Sequence, residues 1–157
     1  MKTRCRIIAA ALLICLLGAG VRAQAEECVV PDHILEMSNE IGLEYNICPE
    51  LLQSIAFQES RFQADAQNGG CTGLMQVNPA WHADRMQELG VTDLYDPKQN
   101  MEVAADYLQE LFGRYEDVGT VLMVYHGESG AVSKIEPSQY ADEILTRSAE
   151  LERIHGK

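Results

Sequence analysis

Apolar residues along this chain recur mainly at helical spacing, and no stretch shows the sustained alternation of a set of strands. Pro31 and Asp32 open a segment in which Ile34, Met37 and Ile41 share one helical face, ending near Gly42. Pro49, followed by Glu50, starts the next helix: proline has no N–H to lose at a first helical position, and an acid there meets the positive end of the helix dipole. Its apolar positions are Leu51, Leu52, Ile55 and Ala56. Glu59 follows Ile55 by four residues and Leu52 by seven, so an ionisable side chain continues the buried stripe. A carboxyl group in poor solvent stays protonated to higher pH, which suits it to donate a proton.

Beyond Arg61 the helical pattern stops, and Asn68-Gly69-Gly70 reads as a loop. Gly73-Leu74-Met75-Gln76-Val77 is a Gly-opened turn that sets an amide among apolar residues. Pro79 is predicted to start a helix through Trp81 and Met86 that ends at Gly90. Asp96-Pro97 is a cap and first-turn signal for the longest helix, with Met101, Ala104, Ala105, Leu108, Leu111 and Phe112 as its core face through about Tyr115. Val118–Tyr125 is apolar enough to be a central buried helix. Residues 127–130 form a turn, and Pro137 begins a last helix carrying Tyr140, Ile144, Leu145 and Leu151. The pattern predicts one mainly α domain, without repeats or an internal linker.

The N-terminal 25 residues stand apart from that domain. Lys2, Arg4 and Arg6 precede an apolar run over residues 7–17, and Ala23-Gln24-Ala25 has the small-x-small form of a signal-peptidase site. The run is short for a membrane span, so residues 1–25 read as a secretory signal and residues 26–157 as the exported domain. Bulky Ile14 ahead of Cys15 speaks against lipid attachment. Removing Lys2, Arg4, Arg6 and Arg22 from the 12 basic residues leaves eight against 24 acids, a formal charge of −16. Such a body repels nucleic acid and anionic lipid. After signal cleavage no stable membrane insertion is expected, and the domain reads as a monomer located in the periplasm, the cell wall or the extracellular space.

Cys28, Cys48 and Cys71 allow at most one internal disulfide in an exported protein. A Cys48–Cys71 bridge would tie the Glu59 helix to the Gly73 turn; Cys28–Cys48 is the rival pairing, and three thiols the third arrangement. His33, His82, His126 and His155 show no ligand spacing relative to the cysteines, so no metal site is expected.

Taken in order, Glu59-Ser60-x-Phe62, Gly73-Leu74-Met75-Gln76, Asp96-Pro97-x-x-Asn100, Ala105-x-Tyr107-Leu108, Tyr125-x-Gly127 and Tyr140 resemble the catalytic domain of lytic transglycosylases of the soluble (SLT) type. The resemblance spans roughly residues 34–151 and implies a lysozyme-like fold with a groove between two lobes. It also implies cleavage of peptidoglycan between N-acetylmuramic acid and N-acetylglucosamine, with no cofactor, to give 1,6-anhydro-muramoyl ends. Small members of the family serve secretion or conjugation machines, which makes such a machine a candidate partner.

The resemblance places Glu59 as the acid and then the base, and makes Ser60, Met75, Gln76, Tyr125, His126 and Tyr140 candidate substrate-binding residues. Ser60 would orient the carboxyl or touch sugar, Met75 and Gln76 would line the groove, and either tyrosine could hydrogen-bond the acid while shielding it from water. His126 departs from the asparagine common at its position, and as a cation it would favour ionised Glu59. Trp81 can stack on a sugar ring or pack in the core. A lysozyme-type hydrolase using Asp65 or Glu128 as second acid is the alternative, and a catalytically idle glycan-binding scaffold is another.

Overall fold

The computed structural model describes residues 28–157, so the predicted signal segment lies outside the described residues. Their backbone is organised by α1 (Asp32–Tyr45), α2 (Pro49–Ser60), α3 (Ala83–Leu89), α4 (Pro97–Arg114), α5 (Val118–Tyr125) and α6 (Gln139–Ile154). The Asp96-Pro97 signal starts α4 as expected, whereas α6 begins at Gln139 rather than at Pro137, and the caps of α5 and α6 are Asp117 and Ser138, which the sequence pattern does not single out. Asp96 accepts from the Gln99 N–H at 2.9 Å, Asp117 from Thr120 at 2.6 Å and Ser138 from Ala141 at 3.4 Å, each satisfying an N–H that the helix itself leaves unpaired.

Several boundaries differ from the pattern. α1 runs three residues past Gly42 and stops at Asn46, whose φ of 54° is left-handed. Gly42 is there for space instead: a Cβ would stand 2.6 Å from the Ile47 carbonyl. The helix predicted from Pro79 begins only at Ala83, because the Asn78 side chain accepts from the Ala80 N–H and its carbonyl accepts from Trp81 and His82, turning the chain first. Within the 67–72 loop a short antiparallel pair forms, β1 (Gln67–Asn68) with β2 (Cys71–Thr72), closed by Gly69 and Gly70 at φ of 57° and 88°. A 3-10 turn over Ala131–Ser133 follows the predicted 127–130 turn.

The most enclosed helix is α2 rather than α5. Every residue from Glu50 to Phe57 is buried, since α1 packs on one side and α6 on the other. α5 buries Gly119, Val121, Leu122 and Met123 against α4 and α6 and leaves Val124 and Tyr125 half-buried. Helix α2 thus carries its C-terminal turn, with Glu59, from the core out to the edge of a cleft.

The cysteines depart from expectation: Cys48 and Cys71 both remain thiols. Cys48 lies at the start of α2 and Cys71 beside Glu59 at its end. Twelve helical residues span about 18 Å, roughly three times the Cα separation a disulfide tolerates. The Cys48 thiol instead donates to Glu50 at 3.0 Å. Burial, reinforced by the neighbouring carboxylate, pushes its pKa up to about 11, so it is a poor nucleophile.

Candidate active site

Helix α2 ends abruptly after Glu59 and Ser60, because Arg61 and Phe62 both adopt left-handed φ values, 55° and 65°. Two consecutive side-chain-bearing residues in that region carry local strain and reverse the chain at once. The reversal is held by Arg61, whose N–H and guanidinium both donate to the Phe57 carbonyl, and by the tilted packing of Phe62 on Phe57. Gln58 then joins α2 to α6, donating to Glu143 and accepting from Arg147 at 3.1 Å. Docking α6 there delivers Tyr140 to Glu59.

The Glu59 side chain is only 14% exposed and opens onto a groove. Tyr140 Oη donates to Oε1, while His126 Nδ1 lies 4.0 Å from the same oxygen. The imidazole is stacked on the Tyr140 ring, 3.9 Å between centroids and 16° from parallel. Burial raises the Glu59 pKa, and the Tyr140 hydrogen bond and the charge of His126 partly oppose it. Burial and the nearby Glu59 charge raise the Tyr140 pKa in turn, so its hydroxyl stays a donor.

The second wall is the Gly73 turn. Thr72 and Val77 pair across it through two backbone hydrogen bonds of 2.9 and 3.0 Å. Asn100, fully buried on α4, brackets the turn: it donates to the Thr72 and Leu94 carbonyls, both at 2.8 Å, and accepts from the Met75 N–H at 2.7 Å. Only glycine fits at position 73, where φ is 81° and a Cβ would stand 2.2 Å from the Leu94 carbonyl oxygen and 2.3 Å from Asn100 Nδ2. Asn100 stands in the Asp96-Pro97-x-x-Asn100 motif but is given no role there. A polar residue beside Met101, one turn ahead of Ala104 on an apolar helix face, was the available signal.

Of the candidate residues, Glu59, Gln76, Tyr125 and His126 line the groove together, and Tyr140 reaches it through Glu59. Gln76 donates to the Gly73 and Ala66 carbonyls at 2.9 and 3.2 Å, closing its own turn. Tyr125 donates to the Met75 carbonyl at 2.8 Å rather than to the acid. Met75, expected to line the groove, is wholly buried and lies outside its lining; its backbone donates to Asn100 and accepts from Tyr125. Ser60 points inward, with Oγ 2.7 Å from the Leu74 carbonyl and 3.1 Å from that of Ala56, and so ties the end of α2 to the turn instead of reaching the carboxyl. A residue next to the acid in sequence need not share its face: one helical step turns it by about 100°.

Glu59 is the one carboxylate among the described residues that line the groove. Asp65 is exposed and lies outside it. Glu128 is clipped by Lys134 and Ser138, whose hydrogen bonds lower its pKa, and is also outside the lining. Cys71, Asn68, Trp81 and His82 complete the wall near the turn. Burial and the Glu59 charge keep the Cys71 thiol protonated to higher pH. No cluster of His, Cys, Asp and Glu suited to hold a metal ion occurs among the described residues.

A family model described as the transglycosylase SLT domain matches residues 36–147. The chain is 37% identical over 107 residues to a transglycosylase of Enterobacteria phage PRD1, an alignment covering 64% of this chain and 39% of the phage protein. It is 30% identical over 117 residues to protein IpgF of Shigella flexneri, covering 69% of this chain and 76% of that one. Among solved structures, lytic transglycosylase Slt of Pseudomonas aeruginosa, an inactive glutamate-to-glutamine mutant, superposes with a TM-score of 0.65 at 18% identity. That match covers 76% of this chain and 24% of Slt, and it is a likeness of fold.

Proposed function

The chain belongs to the transglycosylase SLT domain family, and on that premise we propose that it is an exported lytic transglycosylase cutting peptidoglycan between N-acetylmuramic acid and N-acetylglucosamine. One observation carries the proposal: a largely buried glutamate with a raised pKa is the sole carboxylate lining the groove among the described residues. Hydrolysing glycosidases ordinarily need a second acid, either to attack the anomeric carbon or to activate water. An internal hydroxyl of the substrate needs neither.

Because Oε1 accepts from Tyr140, the proton of neutral Glu59 resides on Oε2. That proton passes to the glycosidic oxygen as the bond to the muramoyl anomeric carbon breaks through an oxocarbenium-like state. Glu59, now a carboxylate, takes the proton from the muramoyl 6-hydroxyl. The 6-oxygen closes on the anomeric carbon, giving a 1,6-anhydro end, and water is not consumed. Tyr140 and His126 then favour the carboxylate formed halfway, so burial and these two partners act on opposite protonation states.

Export rests on the signal-like residues 1–25, and no helix of the described residues is long and apolar enough to cross a membrane. A secretion or conjugation machine is the setting that would use a small enzyme of this kind, opening a local gap in the wall. The test is release of soluble fragments from purified sacculi by the wild type and by Glu59→Gln. The amide cannot protonate the leaving oxygen, and a loss of at least about 10³-fold is expected. Near wild-type release by the variant would refute the assignment.

A further inference from the structure

Trp81 is a large aromatic side chain that the core does not use. It is 78% exposed, on the turn ahead of α3, and it lines the groove. His82, next to it, lines the same groove and is half-buried. Its Nδ1 lies 3.0 Å from Arg85 Nη1. A guanidinium is always protonated and has no acceptor, so Arg85 donates and Nδ1 presents a lone pair. The imidazole proton therefore resides on Nε2.

Arg85 is in turn fixed. Its Nε donates to Asp106, its Nη2 to Glu110, and its guanidinium lies over the Tyr107 ring, 5.1 Å from the centroid. Tyr107 also packs against the His82 ring at 4.7 Å. Burial and the charge of Arg85 lower the His82 pKa, with Glu110 opposing. Arg85 is balanced by two carboxylates, and no Lys or Arg lines the groove among the described residues, so this wall offers a donor without a net cation. Such a wall suits a neutral acceptor better than a carboxylate on a peptide stem.

We propose that Trp81 and His82 form a glycan subsite, with Trp81 stacking on a pyranose ring, His82 Nε2–H donating to an acetamido carbonyl, and Arg85 acting as a positioning residue that fixes the tautomer. The proposal rests on the glycan-cleaving reading above and adds which chemical group is read beside the acid. Aromatic faces meet the apolar side of sugar rings, and a preset donor loses little freedom on binding.

The test uses the full chain carrying Glu59→Gln, which prevents turnover and removes the titration of the acid. Its probes are N-acetylglucosamine oligomers and their de-N-acetylated counterparts. Trp81→Ala is expected to weaken binding of both by about tenfold. His82→Ala should weaken binding of the acetylated oligomer by about tenfold and of the deacetylated one hardly at all. His82→Gln, which keeps a donor, should recover part of the loss. Arg85→Gln should weaken binding of the acetylated oligomer at neutral pH, because the neutral His82 ring, left beside Asp106, Glu110 and Tyr107 without the guanidinium, can then carry its proton on Nδ1; binding should recover toward acid pH, where the imidazolium again presents Nε2–H. Melting temperatures close to the parent's are expected for the Trp81 and His82 variants.

If Trp81→Ala and His82→Ala bind the acetylated oligomer within twofold of the parent while the wild type solubilises sacculi, the subsite is overturned and the function stands. If the wild type releases nothing from sacculi and the parent binds no oligomer, both readings fall.

Discussion

Tyr140 Oη donates to Glu59 Oε1 from a helix 81 residues further along the chain. The bond joins the end of α2 to the start of α6, and the His126 ring stacks on that of Tyr140. It does two things: it selects the oxygen that carries the acid's proton, and it lowers a pKa that burial raises.

Replacing Tyr140 by Phe therefore has a signed consequence. Losing a hydrogen bond that favours the carboxylate lets the Glu59 pKa climb, so the basic limb of the kcat/KM profile should move up by about one pH unit. The plateau should also fall, by about tenfold, because the carboxyl is no longer held. A pH-rate profile of fragment release checks both; a limb moving to lower pH would contradict the assigned role.

His126→Asn separates charge from positioning. The His126 charge lowers the Glu59 pKa, so removing it should also raise the basic limb, by about half a unit, and the plateau should fall less than in Tyr140→Phe, since Tyr140 still holds the carboxyl. An unshifted limb would show that the charge at 4.0 Å does not reach the acid.

Asn100→Ala should be the costliest single truncation in the groove wall. It deletes three hydrogen bonds at a fully buried position, leaving the Met75 N–H and the Leu94 carbonyl without partners and the Thr72 carbonyl with only its bond from Val77. A loss of about 2–4 kcal/mol in chemical denaturation is expected. Gly73→Ala should be at least as damaging, since its Cβ has no room.

The opposite end of α2 predicts acid sensitivity. Glu50 is 1% exposed and accepts from Lys157 Nζ at 2.7 Å and from Cys48 at 3.0 Å, with His155 Nδ1 at 2.8 Å. Burial alone would raise its pKa, but the bonds from Lys157, Cys48 and His155 prevail and hold it at about 2, below the 4.5 of a free side chain. Its contribution to stability is therefore full above 4.5 and is lost as pH falls from there through 2. Comparing wild type with Glu50→Gln, the melting-temperature gap should be on the order of 5 °C at pH 6 and close near pH 2. A gap independent of pH would contradict the linkage.

Much of the fold was readable because it is written in short-range patterns. Ile34, Met37 and Ile41 marked α1, Asp96-Pro97 marked the start of α4, and the spacing from Leu52 and Ile55 put Glu59 on a buried face. The site was readable only where one helix determines it. That Tyr140 and not Tyr125 meets the acid depends on how α6 docks against α2, and that Ser60 turns inward depends on where the Gly73 turn lies. The Arg85–His82 contact lies within α3 and its cap, but its sense is set by Asp106 and Glu110 on α4. Side chains that meet only after packing leave no period to read.

The central claim is that the muramoyl 6-hydroxyl, and not water, closes the reaction at Glu59. Mass spectrometry of the fragments released from purified sacculi tests it most directly, because the two outcomes differ by one water. The account predicts anhydromuropeptides as the primary product; primary products with reducing muramoyl ends would contradict it.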